Sequence, residues 1–167
     1  ENPNPIGEKY NLESAKKDSY DRAHRQGHVT FLKHLKAQGY YDIFLIDADG
    51  NVVYTVMKER DFGTNLISGP YKDTGLAQVF RKVIASDDPD AFANSDFEAY
   101  APSNGAPAAF VAVPIIMNER KLGVLAYQLP NDQLNTIFAN TRGLGETGET
   151  LLVDKAGTLR KSWLDDL

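Results

Sequence analysis

The chain has 167 residues, a hydrophobic share of 42%, a charged share of 25% and a formal net charge of −5. That length carries one domain with a full core and part of another, and the acidic balance argues against a nucleic-acid-binding face, which needs clustered Lys and Arg. With no cysteine, disulfides, thiolate nucleophiles and Cys-ligated zinc are excluded, and an oxidising compartment such as the periplasm fits.

Residues 1–7 are turn formers and are expected to be loop. From about Leu12 to Gln38 the pattern is helical, with Tyr20, Ala23, Gly27, Phe31 and Leu35 as an apolar stripe and Gly39 as the stop, either as one helix or as two shorter ones broken at Asp18-Ser19. Tyr41–Ile46 and Val52–Met57 predict strands joined by a turn at Asp47–Asn51, with Gly50 at positive φ. Asp61–Tyr71 reads as a loop. Thr74 is positioned to cap a helix over Gly75–Ala85, with Leu76, Val79, Phe80 and Val83 on one side. Strands follow at Ser95–Ala101, Ala108–Met117 and Leu122–Leu129, the last two linked through Asn118–Lys121. Asp132 caps a further helix to about Asn140, and Gly143–Gly148 reads as a linker. No apolar run of roughly eighteen residues occurs, and Glu1–Pro5 has no signal-peptide character. The anchors of a membrane-bound parent are expected outside this stretch.

The strand–turn–strand unit Asp42–Thr55 recurs at Glu149–Ser162, with Leu45, Asp47 and Gly50 falling on Leu152, Asp154 and Gly157. The repeat predicts two related modules in tandem, the second only begun. The fold class is α+β. A long N-terminal helix packs on one face of a five-stranded antiparallel sheet, and the short helix and the Asp61–Tyr71 loop cover the other, leaving a pocket between loop and sheet.

Chemical motifs mostly fail their context. Gly143–Gly148 matches G-x-G-x-x-G, but a helix precedes it and a strand follows, the reverse of a dinucleotide site. Asp47-x-Asp49-x-Asn51 begins like a calcium loop but has Lys58 at the twelfth position, where Glu is required. His24 and His28 are one turn apart without a carboxylate partner fixed by the sequence, so a structural role is expected. No catalytic constellation, metal site or cofactor site is expected. The segment Ser95–Phe110 is rich in Ala and aromatic residues. Phe97, Tyr100 and Phe110 either wall a pocket or build an ordinary core.

The run Gly39–Thr55 resembles a Cache domain, the extracytoplasmic PAS-like sensor module of bacterial receptors. The resemblance extends through Phe62–Leu66 with Gly69–Tyr71, Ser95–Ser103, Val113–Ile115 with Leu122–Leu125, and Gly143–Thr150. It covers most of residues 39–167 and implies a double-Cache arrangement: residues 1–38 as loop and long helix, 39–142 as the membrane-distal module, and 143–167 as linker and first hairpin of a second module. It further implies a non-enzymatic, periplasmic sensor domain of a chemotaxis receptor, histidine kinase or diguanylate cyclase, with a small carboxylate, amine or similar ligand held between sheet and loop–helix cover. The Arg-x-Trp-Tyr run of the amino-acid-binding variant is missing, the only Trp being Trp163, which argues against amino-acid binding in this module. By position, Lys58, Tyr71, Lys72, Asp96, Tyr100, Phe110 and Tyr127 are placed near the pocket. Lys58 and Lys72 suit a carboxylate, Asp96 an amine, and the tyrosines an apolar wall with a hydroxyl. The alternative reading is a structural module that forms a homodimer through its N-terminal helix and takes no ligand. Nucleic acid is not an expected partner, and a membrane enters only through segments outside this chain.

Overall fold

The structure is a computed structural model that describes residues 2–12, 18–130, 152–153 and 159–161. The chain divides into two compact units, Glu1–Leu129 and Pro130–Leu167. The first opens with a 3-10 helix, Ile6–Asn11, and then α1, Asp18–Gln38. Leu12, expected to start the long helix, is instead the extended residue that ends the 3-10 turn. Gly39 stops α1 as expected: at φ 73° its N–H and that of Tyr40 both return to the Leu35 carbonyl.

Strands β1 (Asp42–Asp47), β2 (Val52–Thr55), β3 (Ala93–Asn94), β6 (Phe110–Met117) and β7 (Arg120–Gln128) form one sheet in the order β2-β1-β7-β6-β3, antiparallel throughout. Alternation along the strands divides the core in two. Ile43, Leu45, Tyr54, Val56, Leu125 and Tyr127 face α1, meeting Phe31, Leu32 and Leu35. Phe44, Ile46, Phe110, Ala112, Val124 and Ala126 face the other way, onto Leu76, Val79, Phe80 and Val83 of α2 (Gly75–Ala85). The expected α1 stripe is corrected at one place: Ala23 is exposed, and the buried line runs through His24 and His28. These two rings lie four residues apart, directly above one another on the helix, and pack as flat aromatic bodies.

The α2 bounds and the Thr74 cap are as the sequence predicts. The Thr74 hydroxyl accepts from the Ala77 N–H at 3.4 Å and donates to the Tyr71 carbonyl at 2.7 Å. Thr74→Ala is therefore expected to lower stability by about 1–2 kcal/mol in urea unfolding, with Thr74→Ser losing much less. The turn between β6 and β7 places Asn118 and Glu119 at φ 51° and 62°, the paired positive values of a tight two-residue hairpin.

One strand departs from expectation. Ser95–Ala101 does not form the sheet edge. Ala93–Asn94 takes that place, opposite Ala112 and Val111. The Ser95 hydroxyl accepts the Phe110 N–H, ending the ladder there. The chain then leaves the sheet, and β4 (Glu98–Ala99) pairs with β5 (Pro107–Ala108) as a separate ribbon closed by a 3-10 turn, Ala101–Ser103. Strand β2 also ends before the expected Met57. The Val56 and Met57 N–H groups turn to the Asp42 carboxylate, and Lys58 follows at φ 50°.

In the second unit, β8 (Leu152–Val153) pairs with β9 (Leu159–Lys161). Its partners, Leu152 with Lys161 and Val153 with Leu159, are the sequence equivalents of Leu45 with Tyr54 and Ile46 with Val52. Both hairpins shift register at the same step. The repeat seen in the sequence is thus a repeat of backbone pairing. The expected helix over 132–140 and the linker over 143–148, including the 142/143 boundary, lie outside the described residues. Among the described residues no helix is long and apolar enough to cross a membrane.

Candidate functional site

Buried polar groups gather where β1 begins and β7 ends. Asp42 and Gln128 are direct cross-strand partners, and Gln128 is also paired with Phe110. All three therefore project on the α2 side of the sheet, in a row beyond Phe44, Ala126 and Ala112. Tyr100 lies on Phe110, ring centroids 4.9 Å apart, and its hydroxyl donates to Asp61 Oδ2 at 2.6 Å. Asp42 Oδ1 accepts three backbone N–H groups, from Ile43, Val56 and Met57. Glu59 is held on both oxygens: Lys9 Nζ at 2.9 Å and the Tyr41 hydroxyl at 3.1 Å on one, the Ser103 hydroxyl at 2.6 Å on the other.

The donors run out before the acceptors do. Asp42 Oδ2, Asp61 Oδ1 and Gln128 Oε1 are buried with no hydrogen-bond partner among the described residues. The Gln128 orientation follows from its neighbour. Ser103 gives its one proton to Glu59, so Ser103 can only accept from Gln128, at 3.2 Å, and the amide oxygen is left over. Burial, with Asp61 nearby, drives the Asp42 carboxyl well above its usual range. Burial raises Asp61 to about 6, against the hydrogen bond from Tyr100. Such orphaned buried acceptors call for a donor, whether a guest molecule, a proton or ordered water.

A polar cleft of about 250 Å³ opens beside this cluster, lined by Asn2, Asn4, Pro5, Lys9, Glu59, Arg60, Pro102 and Asn104. Asn2 fixes its N-terminal wall by donating to the carbonyls of Lys9 and Met57. Ser103, between the lining residues Pro102 and Asn104, joins Glu59 at the cleft to Gln128 in the cluster.

The seven residues placed by sequence do not meet at one point. Tyr71, Tyr100 and Phe110 belong together: Tyr71 packs against the α2-side core, 6.5 Å from Tyr100 between ring centroids. Tyr127 is on the opposite face, 4.5 Å from the Tyr40 ring. Lys58 is buried, with its ammonium 5.5 Å from the Tyr54 ring centre on the α1 side; burial lowers it to about 8 while Asp42 pulls it up. Lys72 and Asp96 are exposed. Asp96 bonds the next backbone N–H, and Lys72 offers its carbonyl to Arg81. Alanines 108, 109 and 112 are buried, and the space above the sheet is filled by aromatic core. Sequence reading missed Asp42, Glu59, Asp61, Ser103 and Gln128. A signal was available: Asp42 shares strand parity with Phe44 and Ile46, and Gln128 shares it with Val124 and Ala126, so each is a polar residue on a core-facing position.

No protein-family model matches the sequence, and no curated protein matches it. Solved structures do match. The sensor domain of the histidine kinase DctB of V. cholerae is 19% identical, with TM-score 0.51, covering 80% of this chain and 50% of that one. The ligand-binding domain of the Pseudomonas fluorescens chemoreceptor CtaA, in complex with L-serine, is 18% identical, with TM-score 0.52 and coverages of 95% and 55%. That of the Campylobacter jejuni chemoreceptor Tlp3, in complex with 4-methylisoleucine, is 12% identical, with TM-score 0.59 and coverages of 96% and 60%. The chain thus spans between half and three-fifths of each of these structures. A long helix on a five-stranded antiparallel sheet with a short covering helix, matched at this level, gives the chain the fold of Cache-type sensor domains.

Proposed function

We propose that this chain is the ligand-binding part of an extracytoplasmic sensor in a transmembrane signal-transduction receptor, and that it performs no catalysis. Its ligand is a small molecule taken up at the polar cleft beside Glu59, which Ser103 links to the Asp42–Asp61–Gln128 end of the sheet. The observation that carries this reading is the set of three buried acceptor oxygens without donors, beside a polar cleft. A ligand rich in hydrogen-bond donors, above all a protonated amine, supplies what the cluster lacks; a simple carboxylate would repel Asp42 and Asp61. Binding biases two arrangements of the module against α1, with energy from differential affinity for the two.

A thermal-shift screen of the 167-residue chain against small amines, amino acids, carboxylates and sugars tests this. A native-state binder at a hundredfold excess over its dissociation constant adds about 2.7 kcal/mol. The expected result is a saturable rise in Tm with an amine-bearing compound, abolished in Asp61→Asn and retained in Lys72→Ala. If no compound shifts the midpoint and the chain dimerises with concentration, the ligand-free dimerising module is the better reading.

A further inference from the structure

α1 meets the sheet through two histidines one turn apart. His24 and His28 are each 5% exposed, and their rings stack with centroids 4.4 Å apart at 25°. His28 Nε2 lies 2.8 Å from the Tyr10 carbonyl, which only accepts, so Nε2 carries the proton and Nδ1 takes the Tyr54 hydroxyl at 2.8 Å. His24 is different: both of its ring nitrogens are buried without a hydrogen-bond partner among the described residues.

The groups around His24 come from three elements. Tyr20, Asp21 and His28 are on α1, Tyr54 faces it from β2, and the Lys58 ammonium acts on it from the segment after β2. A neutral imidazole packs flat in this aromatic slot and leaves one N–H donor and one acceptor nitrogen without a partner among the described residues. An imidazolium would bury two donors with nothing to receive them, next to a lysine. We propose that His24 is a proton-operated latch: protonation of its ring loosens α1 from the sheet, so that acidification releases the helix. The latch stands independently of the ligand site; only the use made of the released helix rests on the sensor reading above.

Burial, then Lys58 and His28, hold the His24 pKa down to about 4, with Asp21 opposing. Docked α1 therefore prefers neutral His24, while undocked His24 titrates near its ordinary 6.5. The docked state is fully favoured above pH 6.5 and loses about tenfold per unit as pH falls from there to about 4. Asp42 and Asp61, both raised, gain stability over much of the same window. Whole-chain stability is therefore the wrong readout, and the state of α1 is the right one.

The test is amide hydrogen exchange over residues 18–38 at pH 7.5 and 5.0, corrected for intrinsic exchange, in the wild-type chain and in His24→Phe. The wild type is expected to lose about thirtyfold in α1 protection at pH 5.0 relative to the β6–β7 hairpin, and His24→Phe to keep it. Equal responses in the two proteins would overturn the proposal. Should His24→Phe not fold, an NMR titration of the His24 ring in the wild type decides: a pKa below 5.5 supports the latch, and 5.5 or above overturns it.

Discussion

Asp42→Ala is expected to cost about 4 kcal/mol of folding stability at neutral pH, whereas Asp42→Asn is expected to be neutral or stabilising. The Asp42 carboxylate accepts from Ile43 N at 2.7 Å, Val56 N at 2.8 Å and Met57 N at 3.1 Å, all buried. Alanine takes the side-chain acceptor from the Ile43 and Met57 N–H groups, at roughly 1–3 kcal/mol each, and leaves Val56 only its longer bond to the Ile43 carbonyl at 3.2 Å, offset in part by removal of a buried carboxylate beside Asp61. Asparagine keeps the accepting oxygen, removes the charge and adds a donor next to the orphaned oxygens. It also lowers the electrostatic load on the remaining acids. A carboxyl with a raised folded pKa contributes most below its unfolded value, near 3.9, and loses that contribution as pH rises through the folded value. Asp42 itself carries such a raised value, so removing its charge takes away its share and the drop in stability from about pH 4 to 6 is expected to be shallower in Asp42→Asn, leaving the share of Asp61, whose window closes near pH 6. Urea unfolding of the three proteins at pH 4, 5 and 7 measures both effects. An alanine variant within about 1 kcal/mol of wild type would mean that Asp42 does not hold this end of the sheet.

Gly123→Ala is expected to destabilise the chain by at least about 3 kcal/mol and to abolish soluble expression if the margin is small. Gly123 sits in β7 between Asp47 on one side and Ile115 on the other. A Cβ there would fall on the Ile46 carbonyl oxygen and press on the Asp47 backbone. The obstruction is main chain inside a ladder, so no rotamer relieves it and β1 must part from β7. Gly63 is the control. It has φ 76° but open space around it, so alanine there meets only the left-handed backbone penalty of about 1–2 kcal/mol. Equal losses at the two positions in urea unfolding would show that backbone strain, and not the close approach of strands, governs both.

Much of this architecture is local, and local features are legible. Gly39, the Asp47–Asn51 turn and Thr74 act through bonds to near neighbours, and each stands where the sequence places it. The period of the apolar residues separates α1 from the strands that follow, and the repeated hairpin at Leu152–Lys161 is visible because its register is written in side-chain order. Ser95 shows where such reading stops. Its backbone N–H reaches the Phe110 carbonyl and its hydroxyl takes the Phe110 N–H, fifteen residues on, and the sheet edge lies at Ala93–Asn94, not at Ser95–Ala101.

The sequence by itself determined the α+β class, the five-strand antiparallel plan, the bounds of α2 and the resemblance that led to the fold. Those depend on period, turn chemistry and capping, which act over a few residues. Only the tertiary structure decided which of the candidate residues share a face. Strand parity sends Tyr127 to the α1 side and Phe110 to the α2 side, and the left-handed turn at Lys58 is followed by a buried ammonium on the α1 side. It also brought Asp42, Asp61 and Gln128, far apart in the chain, to one end of the sheet with more acceptors than donors. A shortage of partners is a property of neighbours in space, and neither composition nor spacing encodes it.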